Sequence, residues 1–243
     1  MVIVVTGGIG SGKSQACRII SERYGFPVYE ADVRVKRLYD EFPELTASLE
    51  KSLGCRLRNE DGYFIPSVLS ERIFADPKAL ETVEAHVFPY LQKDFESYAL
   101  ANPGHIVFES ATILEKPWFE GFGDAVLLID APVSLRLDRA CRRDNADEMK
   151  VRARVNAQPL MNAFSDGTIS DYPEDSLFGK ARQRVSCIIN NDADLAEFEE
   201  SVISAVADML NGKEINVEHK KNKKNENRSF KDSGNIRPEW FVP

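Results

Sequence analysis

The sequence predicts an α/β protein in which a parallel sheet is wrapped by helices, and three observations carry that prediction. Apolar runs of strand length alternate with stretches whose apolar residues repeat at helical spacing. The first run, Val2-Ile3-Val4-Val5-Thr6, passes directly into a glycine-rich turn and then into a helical pattern carrying Ala16, Ile19 and Ile20. The chain between the second and third runs is too long for a loop and has helical periodicity of its own, which marks an inserted subdomain.

Strands are expected at residues 2–6, 27–29, 106–109, 125–129 and 185–189. Within the long insertion, Asp76-Pro77 reads as a helix cap followed by a first-turn proline. Leu80, Val83, Val87 and Leu91 then recur at helical spacing, so that helix packs one face. After the fourth strand, helices are expected at 134–143 and 147–156. Residues 166–175 are polar and rich in breakers, and read as a mobile loop. A last helix at 193–211 carries Leu195, Phe198, Val202, Val206 and Met209 on one stripe, with Gly212 as its stop. Beyond it, the run 220–228 is too polar to fold alone.

The glycine turn reads Gly7-Gly8-Ile9-Gly10-Ser11-Gly12-Lys13-Ser14. Strand, glycine loop, Lys-Ser and helix together form the context in which G-x-x-x-x-G-K-[ST] is a phosphate site. The glycines let several backbone N–H groups converge on phosphate oxygens, and the following helix adds its N-terminal dipole. Lys13 would reach the terminal phosphates and Ser14 would ligate Mg²⁺. The expected ligand is a nucleoside triphosphate, held at the carboxyl end of the first strand. The fold class is therefore an α/β, parallel-sheet P-loop NTPase core of nucleotide-kinase type, with a helical acceptor-binding insertion and a lid.

At 243 residues, with 43% hydrophobic and 29% charged residues, the chain is ordinary for a globular protein with a sizeable core. No apolar run reaches the length of a membrane span, and the N-terminus has no signal segment. Cys17, Cys55, Cys141 and Cys187 are scattered without a C-x-x-C pair, which argues against zinc and for a reducing, cytoplasmic setting. The net charge of −8 argues against a general nucleic-acid binder. From Lys213 onward, eight Lys or Arg face five Asp or Glu, so the tail is +3 and the remainder −11. Such a tail reads as a solvated, disordered end.

Phosphoryl transfer requires neutralised phosphates, a metal, an aligned acceptor and the exclusion of water. The second strand ends in Tyr29-Glu30-Ala31-Asp32, beside the phosphate loop in a sheet of this kind. Asp32 is either an acceptor base or Mg²⁺ partner, or an N-cap for a helix starting near Val33. Arg139 and Arg143 share one helical face, with Arg142 close to it. They either neutralise phosphate from a lid or form a salt-bridged surface with Asp138 and Asp144; spacing alone favours the second. Glu109 and Asp130 both end strands and compete as supports for Mg²⁺. His86, His105 and His219 carry no assigned role. Tyr172 and Phe178 read as anchors of the 166–175 loop.

The residues resemble the dephospho-CoA kinase family over positions 1 to about 210. The likeness rests on the string from Thr6 to Ser14 followed by Glu30-Ala31-Asp32, then Asp61-Gly62, Ile73-Phe74, Glu109-Ser110-Ala111 and Ile113-Leu114-Glu115. It continues through Arg139-x-x-x-Arg143-Asp144, Arg154 with Gln158, and Ile188-Ile189-Asn190-Asn191. The resemblance implies ATP- and Mg²⁺-dependent phosphorylation of the ribose 3′-hydroxyl of dephospho-CoA, the last step of coenzyme A synthesis. It implies that Asp32 is the base, that Lys13 and Ser14 serve phosphate and metal, and that Arg143 is a lid arginine over the phosphates. Gly8, Gly10, Ser11, Gly12, Gln15, Arg139 and Asn191 are the further nucleotide contacts it implies. One domain would then span 1–211, with the acceptor insertion at about 33–104, the lid at about 132–182 and the basic tail at 212–243. Gln15, Glu30, Lys36, Ile65-Pro66 and Phe88-Pro89 depart from the usual pattern, mostly on the acceptor side. The alternatives are a kinase of another small acceptor and a nucleotide-binding regulator without turnover. The expected partner is the small-molecule substrate, without membrane or nucleic acid, and the oligomeric state is left open.

Overall fold

The computed structural model describes residues 1–212, so the basic tail expected at 212–243 lies, beyond Gly212, outside the described residues. Five parallel strands form one sheet: β1 (Val2–Thr6), β2 (Val28–Glu30), β3 (Ile106–Glu109), β4 (Ala125–Asp130) and β5 (Cys187–Asn190). Their order is β2-β3-β1-β4-β5. The strand expected at 185–189 begins two residues later, because Val185 caps the preceding helix and Ser186 only borders the sheet.

Both sheet faces are buried, as a parallel sheet requires. Ile3, Val5, Leu127 and Ile129 point to one side, against Ala16, Ile19 and Ile20 of α1 (Lys13–Tyr24) and Phe198, Val202 and Val206 of α10 (Leu195–Leu210). Val4, Tyr29, Phe108, Val126 and Leu128 point to the other side. There the long excursion packs as α2 (Ala31–Glu41), α3 (Pro43–Leu53), α4 (Pro66–Ala75) and α5 (Pro77–Ala101). Asp76 caps α5, its side chain accepting from Lys78 N at 3.0 Å. Val83, Val87 and Leu91 are buried on the expected stripe. Leu195 is the exception on α10: it opens the helix and is exposed, one turn before the buried Phe198.

After β4 the chain forms α6 (Val133–Asp144), α7 (Glu148–Asn156), α8 (Pro159–Ser165) and α9 (Leu177–Arg184). The 166–175 stretch is more regular than its composition predicts. Thr168–Asp171 make a 3-10 turn, Ile169 is buried in the main core, and Tyr172 packs on Phe178 at 4.4 Å between ring centres. Among the described residues, no helix is long and apolar enough to cross a membrane.

Candidate functional site

β1 lies in the middle of the sheet, and its last residue leads into the glycine loop. Gly7, Gly10 and Gly12 take φ of 148°, 75° and 106°, the region that side chains with a Cβ avoid. Lys13 opens α1 and folds back over the loop, its Nζ donating to Gly7 O at 2.8 Å and Gly8 O at 3.3 Å. Gln15 stands partly buried in the same first turn. Asn191, just past β5, donates from its side chain to Ser11 O at 2.8 Å, and so braces the loop from behind.

The sheet order corrects the expected neighbourhood of Asp32. β2 is not adjacent to β1, because β3 lies between them, and Glu109 is paired with Val5 on one side and with Glu30 on the other. Glu109 therefore sits immediately beside the loop, accepting from Ser14 Oγ at 3.0 Å. Asp32 reaches across from the first turn of α2. That helix starts at Ala31 with Glu30 in the cap position, so Asp32 is not an N-cap. Its Oδ2 accepts instead from Ala111 N at 3.3 Å, just past β3.

Asp32 still meets solvent in the cleft, yet the protein packed around it raises its carboxyl above the ordinary aspartate value. Lys13, and more weakly Lys36, pull the other way. Glu109 is raised for the same reason, with Asp32 and Glu30 adding repulsion and Lys13 opposing. Burial lowers the Lys13 ammonium, which Glu109 and Asp32 help keep charged. Asp130 is placed elsewhere: at the end of β4 it accepts from Ser165 Oγ at 2.5 Å, under the loop rather than in the cleft.

A cavity of about 310 Å³ opens over the loop, lined by Lys13, Ser14, Asp32, Glu109, Arg143 and Arg154 among others. The two arginines expected to share a face divide their work. Arg143 faces the cavity, and Arg154 joins it from α7; both are paired with Asp144 at its mouth. Arg139 turns instead to Asn191, with Nη1 on its backbone O at 2.9 Å. Arg142 makes the exposed i,i+4 pair with Asp138 that spacing had favoured. A second, narrower and more apolar cleft adjoins the first. Ala31, Val35, Tyr39, Phe88, Leu91 and Phe119 line it, and Asp32 and Lys36 belong to both.

Among the described residues, no three His, Cys, Asp or Glu groups cluster as a self-sufficient metal site. Mg²⁺ needs none: it is bound by one or two protein oxygens together with substrate phosphates. The hard oxygens of Ser14 and Glu109, beside the loop, fit such an ion.

Sequence reasoning missed Arg136 and gave Gln158 no task. Arg136 is fully buried against the loop, and Gln158 Oε1 accepts from Ile9 N at 2.8 Å. The signal was present in Val133, Leu137 and Ala140, an apolar stripe at helical spacing that Arg136 interrupts.

A profile of the dephospho-CoA kinase family matches residues 1–163, two thirds of the chain. The chain belongs to that family. The dephospho-CoA kinase of Porphyromonas gingivalis is 33% identical over 177 residues, covering 71% of this chain and 87% of that one. That of Methylococcus capsulatus is 31% identical over 158 residues, covering 65% and 79%. Among solved structures, Thermus thermophilus TT1252 aligns with a TM-score of 0.66 at 24% identity, over 86% of this chain and 97% of that one. The dephospho-CoA kinase from Campylobacter jejuni aligns at 0.56 and 21%, over 87% and 98%, and like TT1252 supports the fold alone.

Of the departures from the family pattern, Gln15 adjoins the glycine loop and the others lie outside it. Lys36 stands at the junction of the two cavities and keeps a positive charge near Asp32. Phe88 is buried in the second cleft against Phe119, at 5.3 Å between ring centres, and Ile65-Pro66 merely begin α4.

Proposed function

We propose that residues 7–14 hold the triphosphate of ATP, that Ser14 ligates Mg²⁺ with Glu109 behind it, and that Asp32 takes the proton of the acceptor hydroxyl. The chain is a dephospho-CoA kinase by family: it uses ATP to phosphorylate dephospho-CoA in coenzyme A synthesis. The acceptor atom is the ribose 3′-hydroxyl. One observation carries the assignment of parts. Asp32 belongs both to the charged cavity over the loop and to the more apolar cleft beside it, so a group bound in the second presents its hydroxyl to a phosphate bound in the first.

On this reading, α2 to α5 form the acceptor side (about 33–104), and α6 to α9 form the lid (about 132–182), within one domain spanning 1–211. Lys13 and the loop N–H groups bear the charge of the transferring phosphoryl group, and Arg143, brought from the lid, adds to them. When bound, Mg²⁺ neutralises charge on the phosphate oxygens. A raised carboxyl makes Asp32 a stronger base than an aspartate in water, and Lys13 limits how far it rises. Arg139 and Asn191 act through the loop's shape, and Gly8, Gly10, Ser11, Gly12 and Gln15 form its wall. The four free thiols suit a reducing, cytoplasmic setting.

The test is turnover of Mg·ATP with dephospho-CoA, with the product checked by mass for a 3′-phosphate. Asp32→Asn is expected to bind ATP normally and to lose about 10²–10⁴-fold in kcat. Wild-type turnover by Asp32→Asn would remove the base assignment; ATP binding without a phosphorylated product would remove the acceptor.

A further inference from the structure

Arg136 is a guanidinium with no exposed surface in the middle of the molecule. Burying such a cation costs several kcal/mol, and an apolar side chain of similar volume would often serve stability as well or better. Its contacts say what it does instead. Nε donates to Ile9 O at 3.1 Å, and Nη2 to Gln158 Oε1 at 3.1 Å. Nη1 donates to Asn162 Oδ1 and Ser165 Oγ, both at 3.1 Å. Ser165 in turn donates to Asp130, whose charge opposes the loss of the arginine's own. One planar group thus joins the glycine loop to both ends of α8.

The loop is shaped around this side chain. Gln158 Oε1 also accepts from Ile9 N, so both backbone polar groups of Ile9 are held, one by Arg136 and one by its partner. A Cβ at Gly8 would stand 2.0 Å from Arg136 Nη2, and one at Gly10 would stand 2.1 Å from Arg136 O. The glycines that give the loop its freedom therefore also admit α6 against it.

We propose that Arg136 is a positioning residue for phosphoryl transfer: it fixes the Ile9–Gly10 arc of the phosphate loop to α8, so that the loop and the lid helices keep one relative placement. Preorganised donors stabilise developing charge only if they need not move, so a loosened arc weakens the transition state more than ground-state binding. Lysine keeps the charge at 136 but not the fork that spans Ile9 O and Asn162.

The inference rests on residues 7–14 being the phosphate site, and steady-state kinetics with Mg·ATP and dephospho-CoA separate the two. Arg136→Lys is expected to lower kcat about tenfold while the KM for ATP stays within about threefold. Asn162→Ala, which removes an anchor remote from the loop, is expected to lower kcat about threefold in the same pattern. It decides the matter if Arg136→Lys does not fold. A lowered melting temperature with unchanged kcat in the folded variants would mean packing only and overturn the proposal. Wild-type kinetics in both variants, beside an inactive Lys13→Ala, would overturn it and leave the phosphate site standing. An active Lys13→Ala would overturn the phosphate site itself.

Discussion

Glu115→Gln is expected to stabilise the protein above neutral pH and to do little for it in acid. Glu115 closes a 3-10 turn, Ile113–Glu115, after β3, and its Oε1 is buried without a hydrogen-bond partner among the described residues. Burial is the main cause that raises its carboxyl from 4.5 to about 7, with Lys116 opposing and Glu84 adding to the rise. Lys116 gives little relief because it is already engaged with Glu84, both of them largely buried. The sign follows from where the proton sits. Below about 4.5 both folded and unfolded chains carry it, and between 4.5 and about 7 the unfolded chain releases it first, so stability falls as pH rises. Above about 7 the folded chain bears the full penalty. The gap between 4.5 and about 7, at about 1.4 kcal/mol per pH unit, amounts to an upper bound of about 3.5 kcal/mol. Thermal unfolding of both proteins between pH 5 and pH 8 reads it, at about 2–4 °C per kcal/mol for a chain of this size. An advantage of the variant that is equal at both pH values, or that shrinks toward pH 8, would refute the reasoning.

Two further predictions concern the loop and the Mg²⁺ proposed beside it. Glu109→Gln leaves Ser14 without its charged partner, and the Mg²⁺ concentration for half-maximal turnover is expected to rise about tenfold, read by a Mg²⁺ titration at fixed ATP. Gly10→Ala combines a φ of 75° with a Cβ 2.1 Å from a backbone oxygen of α6, and turnover is expected to fall at least about tenfold in protein that circular dichroism finds folded.

The parts of the fold legible in the sequence were those encoded locally. β1 and β3 came out with their observed ends, since each is an apolar run bounded by turn residues, and Asp76 marked the start of α5 as a cap, whereas α7 begins one residue after its expected start because Asp147 is its cap. Lys13, Ser14, Asp32 and Arg143 were legible through motif and resemblance, and the structure brings them to one cavity. What stayed hidden depends on strand order and on packing between distant segments. Nothing in the chain states that β3 separates β1 from β2, so Glu109 and Asp130 could not be ranked before Glu109 was found beside Ser14 and Asp130 against Ser165. Arg139 and Arg143 share a helical face by spacing, yet Asn191 takes one and the cavity the other, because β5 ends beside the first and not the second. The 166–175 stretch read as mobile because its polar composition masks Ile169, which anchors it in the core.

The glycine motif itself joins two physical demands that a sequence pattern cannot separate. One is conformational: Gly7, Gly10 and Gly12 take backbone angles that let N–H groups converge on an anion. The other is steric: an added Cβ would strike Arg136 at Gly8 and Gly10, and Asn191 Nδ2, 2.2 Å away, at Gly12. Gly8 is the informative case, since its φ is not positive and only close approach requires the missing side chain. The two demands meet in the same few residues because a phosphate-binding loop must be rigid as well as curled. Rigidity here comes from outside the loop, through Arg136 and Gln158 on one flank and Asn191 on the other. If Arg136 positions the loop as proposed, a loop of this sequence grafted onto another sheet would keep its curl and lose that support, and its competence would depend on α6, α8 and the end of β5 as much as on its own glycines.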